Sequence, residues 1–143
     1  SRAVIGWQMD RRMTAELVNN ALMMALFRRG FPKGVIIHTD RGSQYCSKSF
    51  QGLIKKYGLI SSMSAKGCCY DNAVCESFFH NLKVELVYTL PYQSRTAAKK
   101  SLFEYIEAYY NNKRKHSTLN YMTPMQFEST IDLSQSTCLK KVG

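Results

Sequence analysis

The alternation of short apolar runs with longer amphipathic segments limits the fold of this 143-residue chain more than any other feature. The run GVIIH, at residues 34–38, is continuously apolar, as expected of a strand buried on both faces. Residues 3–9 are β-branched and aromatic and also predict a strand, and residues 59–63 predict a third one. The order strand, helix, strand, helix, strand, helix indicates an α/β fold with a mostly parallel sheet.

Four helices are predicted from capping residues and apolar spacing. They cover residues 14–29, 47–57, 71–88 and 95–110. Thr14 and Asp71 are the expected N-caps, and Gly58 ends the second helix. The third helix carries a core stripe at four-residue spacing, made of Val74, Phe78, Leu82 and Leu86. We expect one domain over residues 1–128, followed by an irregular tail over residues 129–143.

The charge balance points to a polyanionic partner. Twenty Lys and Arg face ten Asp and Glu, which gives a net charge of +10. The longest apolar stretch, residues 21–27, is far shorter than a membrane span, and the start of the chain lacks a signal peptide. The basic residues are scattered rather than gathered on one amphipathic face, so a membrane surface is the least favoured partner.

The five cysteines predict reduced thiols in a cytoplasmic protein. Their odd number and clustering do not make a secreted disulfide framework. Cys68, Cys69, Cys75 and His80 are a poor match to the two spaced pairs that a zinc site requires.

Asp40 is the first candidate site residue because it falls just past the end of the strand at residues 34–38. In open α/β sheets, ligands bind at the carboxyl ends of strands. An Asp two residues before Gly42 is equally typical of a simple turn. Placement alone leaves both interpretations open.

Glu76 is the second candidate, on the predicted helix and turned away from its core stripe. Lys83 follows seven residues later, so an ideal helix brings it within about 20° of Glu76 and two turns along. His80 lies near the same line. The alternative is an ordinary solvated helix face.

Taken together, Asp40 and Glu76 indicate a metal site. Two carboxylates brought to one crevice are the hard-oxygen ligands that Mg²⁺ or Mn²⁺ prefers. Two such ions activate a water or hydroxyl and stabilise the leaving oxygen of a phosphodiester. Lys83 and Lys66 would then hold DNA phosphates.

Five segments in this order resemble the catalytic core of bacterial insertion-sequence transposases of the OrfB type, within the retroviral-integrase-like superfamily. They are RAVIGW, HTDRGSQYCS, SMSAKG, YDNAVCESFFHNLKVE and YIEAYYNNKRKHSTLNYMTP. The resemblance implies a ribonuclease-H-like fold, a mixed sheet flanked by helices and N-terminally truncated here. It also implies a triad of acids, a DDE triad, that holds two divalent ions. Asp40 matches the second acid, Glu76 the third, and Lys83 the basic residue that follows the third acid.

Two departures from the family pattern are visible. The first acid of the family lies on a strand upstream of RAVIGW, before this chain begins, and Asp10 does not match it. Cys68 and Cys69 stand where the family usually has Asn-Pro. Neither departure touches Asp40 or Glu76.

The resulting prediction is a DDE-type transposase core that performs Mg²⁺- or Mn²⁺-dependent strand cleavage and 3′-hydroxyl strand transfer on DNA. We expect a homo-oligomer in the complete protein and no activity from this chain alone. Asn72 is a supporting residue, and Arg114 and His116 of the basic run KRKH are further phosphate-binding candidates. A non-catalytic DNA-binding remnant and a ribonuclease-H-type nuclease remain alternatives.

Overall fold

The computed structural model describes residues 1–64, 73–89 and 91–139, with side chains up to residue 131. The chain forms two compact units. The first unit is Ile5–Leu82, and the second comprises Ser1–Val4 together with the chain from Lys83 onward. The expected domain over residues 1–128 stays a prediction. None of the helices in the described residues is both long and apolar enough to cross a membrane.

From residue 15 onward, the first unit has the predicted order of helices and strands. Its helices are α1 (Ala15–Arg28), α2 (Lys48–Lys56) and α3 (Ala73–Leu82), and its strands are β1 (Ile36–Thr39) and β2 (Ile60–Met63). The Thr14 hydroxyl accepts a hydrogen bond from the Leu17 N–H, and the Ser47 hydroxyl accepts one from Phe50. These caps satisfy amide groups that a helix start leaves without partners.

The two strands are parallel, as the sequence predicts for an α/β unit. Ile36 pairs with Ile60, and Thr39 pairs with Met63. The core of the unit consists of buried residues from α1, α2 and the position just before β2: Val18, Leu22, Leu26, Phe50, Ile54 and Leu59. Burial of these apolar side chains stabilises the unit.

The prediction that β1 is buried on both faces is wrong. Ile36 is 63% exposed and its partner Ile60 is 51% exposed. The sheet in the described residues has two strands, and no third strand there extends it. A continuous apolar run indicates a buried strand only where further elements cover both faces.

The predicted strand at residues 3–9 is also absent, because that segment pairs with side chains instead of with a strand. The Val4 N–H donates to Asn111 Oδ1, and the Val4 carbonyl accepts from Asn111 Nδ2, both at 2.9 Å. The Trp7 N–H lies 3.4 Å from the Met24 sulfur. Extended backbone becomes a strand only where a neighbouring strand completes the ladder.

The second unit is helical. A π-helical segment, Lys83–Val87, is followed by α4 (Arg95–Phe103), a second π-helical segment (Glu104–Tyr110), a short 3₁₀ turn (Ser117–Leu119) and α5 (Pro124–Leu139). Its core contains Tyr105, Ile106, Tyr110 and Leu119.

The irregular tail expected from residue 129 is wrong as far as residue 139. Helix α5 starts at Pro124 and continues to Leu139. Pro124 suits the first turn of a helix because its missing N–H would have no helical partner there. The Thr123 side chain accepts from the Gln126 N–H, while the Thr123 N–H donates to the Gln126 side chain. This reciprocal pair is the capping box that starts the helix.

Candidate functional site

Asp40 leaves the carboxyl end of β1 in a tight turn that fixes its carboxylate. Its Oδ1 accepts a hydrogen bond from the Gly42 N–H at 2.8 Å. A Cβ atom on Gly42 would lie 2.9 Å from Asp40 Oδ1 and 2.5 Å from Gln44 Nε2, so a larger residue here would displace those side chains. The turn interpretation is therefore confirmed. It does not exclude a ligand role, because Asp40 is exposed and the hydrogen bond occupies one carboxylate oxygen.

The sequence interpretation missed a polar network that joins the ends of the two strands beside Asp40. His38 Nδ1 is 2.9 Å from the Ser62 hydroxyl, and His38 Nε2 is 3.0 Å from the Ser64 hydroxyl. Arg41 Nε donates to the Ser64 carbonyl at 3.0 Å. The sequence signal was weak, since His38 precedes Asp40 by two residues but its serine partners follow only from the strand register.

Glu76 lies in the first turn of α3 and is exposed, as predicted. The charges of both Glu76 and Asp40 affect the thiol of Cys75, the residue before Glu76. Desolvation raises the pKa of the Cys75 thiol, and the negative charges of Asp40 and Glu76 raise it further. Tyr45 responds in the same way, since burial and then Asp40 raise the pKa of its hydroxyl. The charges of both carboxylates thus act in the same direction on one thiol of the first unit.

The donor chemistry of this pair fits a hard divalent cation. Carboxylate oxygens are the preferred ligands of Mg²⁺ and Mn²⁺. Across the described ranges, no three His, Cys, Asp or Glu residues come close enough to form a metal site. Asp40 and Glu76 would thus be two protein ligands, with water or phosphate oxygens completing the coordination.

The remaining phosphate-binding candidates have different outcomes. Lys83 is exposed at the start of the first π-helical segment and makes no ion pair with any residue that the structure describes. Lys66 and Asn72 lie outside the described residues. The roles of these three residues stay predictions.

Arg114 and His116 are drawn into a cluster inside the second unit. Two nitrogens of Arg114 donate hydrogen bonds to Glu85 Oε1, Nη2 at 2.8 Å and Nε at 2.9 Å. Tyr105 donates its hydroxyl to Glu85 Oε2 at 2.8 Å. His116 is buried, with its ring 5.1 Å from that of Tyr110. These contacts favour internal packing over the predicted phosphate binding of Arg114 and His116.

The cluster also changes the ionisation of its members. Burial alone would raise the pKa of Glu85, but hydrogen bonds from Arg114 and Tyr105 outweigh it and lower the pKa below its ordinary value. Burial and the neighbouring Arg114 lower the pKa of His116, which favours the neutral ring. The cluster is therefore built around an ionised Glu85 and a neutral His116.

Two family models, both described as Integrase core domain, match residues 1–69 and 76–131. The chain belongs to the integrase core domain family. The chain is also similar to two bacterial insertion-sequence transposases. It is 55% identical to the transposase InsF for insertion sequence IS3A of Escherichia coli over 129 residues, and 44% identical to the transposase for insertion sequence element IS904 of Lactococcus lactis over 128 residues.

Both alignments cover 90% of this chain, but only 45% of the first relative and 51% of the second. The chain thus spans about half the length of the curated relatives that it matches. A solved structure supports the ribonuclease-H-like α/β fold class. A chain of the simian T-cell lymphotropic virus intasome in complex with PP2A regulatory subunit B56 gamma, determined by cryo-EM, matches with a TM-score of 0.57 at 21% identity. That match covers 75% of this chain and 37% of the other.

We predict that Glu85→Gln lowers the free energy of unfolding by about 1–3 kcal/mol at pH 7, because Arg114 loses a charged partner in a site where its side chain is only 20% exposed. The pKa of Glu85 is lowered in the folded state, so its contribution is complete above the ordinary value of 4.5 and is lost as the pH falls through the folded value. The difference between the two proteins should therefore shrink below pH 4.5 in urea titrations.

Glu104→Gln is the matched control for this measurement. Glu104 contacts Lys100 at 4.0 Å, and both side chains are more than half exposed. Exposed pairs of this kind contribute little, so the control should unfold like the unmodified protein. Equal stability of all three proteins would contradict a stabilising role for the Glu85 cluster.

Proposed function

We propose that this chain is the part of a DNA transposase core that carries two of its catalytic acids, and that the whole protein cleaves and joins DNA strands with a divalent metal. One arrangement carries the proposal: Asp40 at the end of β1 and Glu76 in the first turn of α3 are both exposed carboxylates of the same compact unit. In a chain of the integrase core family, such a carboxylate pair matches the last two acids of the triad that the sequence resemblance implied.

Neighbouring residues that the structure describes position Asp40, one member of this pair. The Gly42 N–H holds one Asp40 oxygen, which leaves the other to face a ligand. The network of His38 with Ser62 and Ser64 fixes the strand ends from which Asp40 emerges. Two carboxylates would repel a phosphodiester unless a cation lies between them. Mg²⁺ or Mn²⁺ bound there would supply Lewis-acid stabilisation of the attacking and leaving oxygens.

The DNA would be held by basic side chains. Lys83 is exposed and has no ion-pair partner among the described residues, so it is available to a phosphate. Lys66 and Asn72 keep their proposed phosphate-binding and supporting roles on sequence grounds. We further propose that the complete protein is a homo-oligomer acting in the bacterial cytoplasm, associated with the nucleoid when bound to DNA. The bacterial origin of the relatives supports this location.

The function is tested by an assay that offers a labelled element end and a target duplex with Mg²⁺. We predict cleavage and joining by a longer protein that contains these residues, loss of both in its Glu76→Gln variant, and no product from the 143-residue chain. The two-ion mechanism needs a third, bridging carboxylate to stabilise both reacting oxygens.

Other outcomes of this assay separate the alternatives. Cutting without joining would identify a ribonuclease-H-type nuclease. DNA binding without cutting, even by the longer protein, would identify a non-catalytic remnant. Cleavage by the 143-residue chain would show that another of its carboxylates completes the site.

Metal binding gives an independent prediction. We expect Mn²⁺ titrations followed by electron paramagnetic resonance to detect binding to the unmodified chain, and Asp40→Asn and Glu76→Gln to weaken it at least about tenfold, since each removes a charged ligand. Asp10→Asn is the control, because it removes an exposed carboxylate that does not match the family's acids. Equal weakening by all three substitutions would indicate a diffuse charge effect and contradict the site.

A second prediction concerns Lys83. Lys83→Ala should weaken duplex binding and reduce the magnitude of the salt slope by about 0.9, the value expected for one lost phosphate contact. Thermal unfolding should be unchanged, because the side chain is exposed. A lower melting temperature with an unchanged salt slope would assign Lys83 a structural part instead.

A further inference from the structure

A basic and aromatic surface lies at the end of the first unit away from Asp40. It is formed where α1 ends, at residues 27–33, and where α2 ends, at residues 55–58. The Gly34 N–H donates to the Gly58 carbonyl at 2.8 Å and so holds the two segments together before the strands begin. We call this surface the aromatic corner. It consists of Phe27, Phe31, Lys33, Lys55, Lys56 and Tyr57.

Three rings in the aromatic corner pack against one another and leave two of them accessible. The Phe31 ring lies over that of Tyr57, with centroids 5.3 Å apart and planes 32° apart. Phe27 meets Phe31 edge to face at 6.5 Å. Phe27 is 76% exposed and Phe31 is 39% exposed. Because the two exposed rings contact each other, they form a contiguous apolar patch of the kind that marks an interaction site.

Helix termination explains only part of this arrangement. At the end of α1, the Gly30 N–H donates to the Phe27 carbonyl and the Phe31 N–H donates to the Leu26 carbonyl, as in a Schellman ending. Such endings commonly pack the residue after the glycine onto the helix, which accounts for the position of Phe31. They do not account for the exposure of Phe27, nor for the left-handed φ of +56° that Phe31 adopts.

The charge around these rings is almost entirely positive. From Leu17 to Tyr70 the sequence has eight Lys and Arg but a single acidic residue, Asp40, which lies at the other end of β1. The Nζ atom of Lys56 is 5.3 Å from the Tyr57 ring centroid. The Lys33 side chain runs alongside Gly58, where a Cβ atom would lie 3.6 Å from Lys33 Cγ. Lysine is depleted in protein–protein interfaces, so a polyanion fits this surface better than an apolar protein face.

We propose that the aromatic corner binds unpaired nucleotides of a DNA strand. Bases would stack on Phe27 and Phe31, while Lys33, Lys55 and Lys56 neutralise the adjacent phosphates. A base inside a duplex has both faces covered by its neighbours, so the aromatic corner selects single-stranded DNA. This site is separate from the carboxylate pair, because β1 separates the two by roughly 13 Å, four residues at about 3.3 Å each. It needs no divalent ion.

The test compares a fluorescent single-stranded oligonucleotide with the duplex of the same sequence, by anisotropy titration of the 143-residue chain in EDTA. Phe27→Ala should weaken single-strand binding about fivefold or more and duplex binding less than twofold. Tyr88→Ala is the matched control, since Tyr88 is 73% exposed but belongs to the second unit. It should change neither affinity. Because Phe27 is so exposed, thermal unfolding should show that its variant is folded.

The lysines are tested separately from the rings. Lys56→Ala should weaken binding to both DNA forms and reduce the magnitude of the single-strand salt slope by about 0.7. Phe27→Ala should leave that slope unchanged, because stacking releases no counterions. Asp40→Asn should bind the single strand at least as tightly as the unmodified chain. Single-strand binding by the aromatic corner would therefore persist if the metal-site proposal failed. Metal binding would likewise persist if the aromatic corner did not bind DNA.

Equal effects of Phe27→Ala and Tyr88→Ala on single-strand binding would overturn the proposal. It would also be overturned if Phe27→Ala left DNA binding unchanged and instead abolished self-association in sedimentation velocity. That outcome would assign the aromatic corner to contact with a second copy of this chain.

Discussion

The candidate site depends on the parallel pairing of β1 with β2. The ladder fixes Ile36 opposite Ile60 and Thr39 opposite Met63, and the Ser64 N–H extends it by donating to the Thr39 carbonyl at 3.0 Å. Asp40 is therefore released from the sheet at a defined point. A one-residue slip would turn every side chain of a strand to the opposite face. The bonds of His38 to Ser62 and Ser64 form only in the observed register, so the network that supports Asp40 also fixes the sheet.

The second unit shows that a basic sequence is not equivalent to a basic surface. In the run KRKH, Lys113 and Lys115 are exposed, while Arg114 is turned toward Glu85 and His116 is buried. The partly exposed Glu85 carboxylate stays ionised beside Tyr105 because Arg114 pairs with it. Part of the positive charge of the chain thus stabilises this unit, and the surface lysines remain as the charges that DNA would meet.

Local signals in the sequence were the most reliable ones. The cap at Thr14 and the glycine after α2 depend on neighbouring residues alone, and α1 and α2 lie within a residue or two of their predicted bounds. Features that depend on distant neighbours were less predictable. Val74, assigned to the core stripe of the third helix, is 56% exposed. The π-helical segment Glu104–Tyr110 shifts the helical phase, so that Tyr110 is buried and Tyr109 is 43% exposed.

The residues of the candidate site and their chemical type could be predicted from the sequence, but the contacts that position them could not. The position of Asp40 after a strand and of Glu76 on a helix followed from the pattern, and the resemblance gave both residues a role. The supporting contacts of His38 and Arg41 could not be derived, because they depend on which residues of two strands come to face each other. The aromatic corner could not be predicted, because Phe27 and Tyr57 are distant in sequence. Both fall within predicted helices, whose apolar residues are expected to be core.

The bond between Asn111 and Val4 has a consequence for how the chain folds. The side-chain amide of Asn111 acts as a one-residue strand, donating to and accepting from the Val4 backbone across a separation of 107 residues. Closing so long a loop has a large entropic cost that a single pair of hydrogen bonds does not offset. We therefore expect this contact to form last, after the local helices and the β1–β2 pair. The first residues would then detach and rejoin while the remainder of the molecule stays folded.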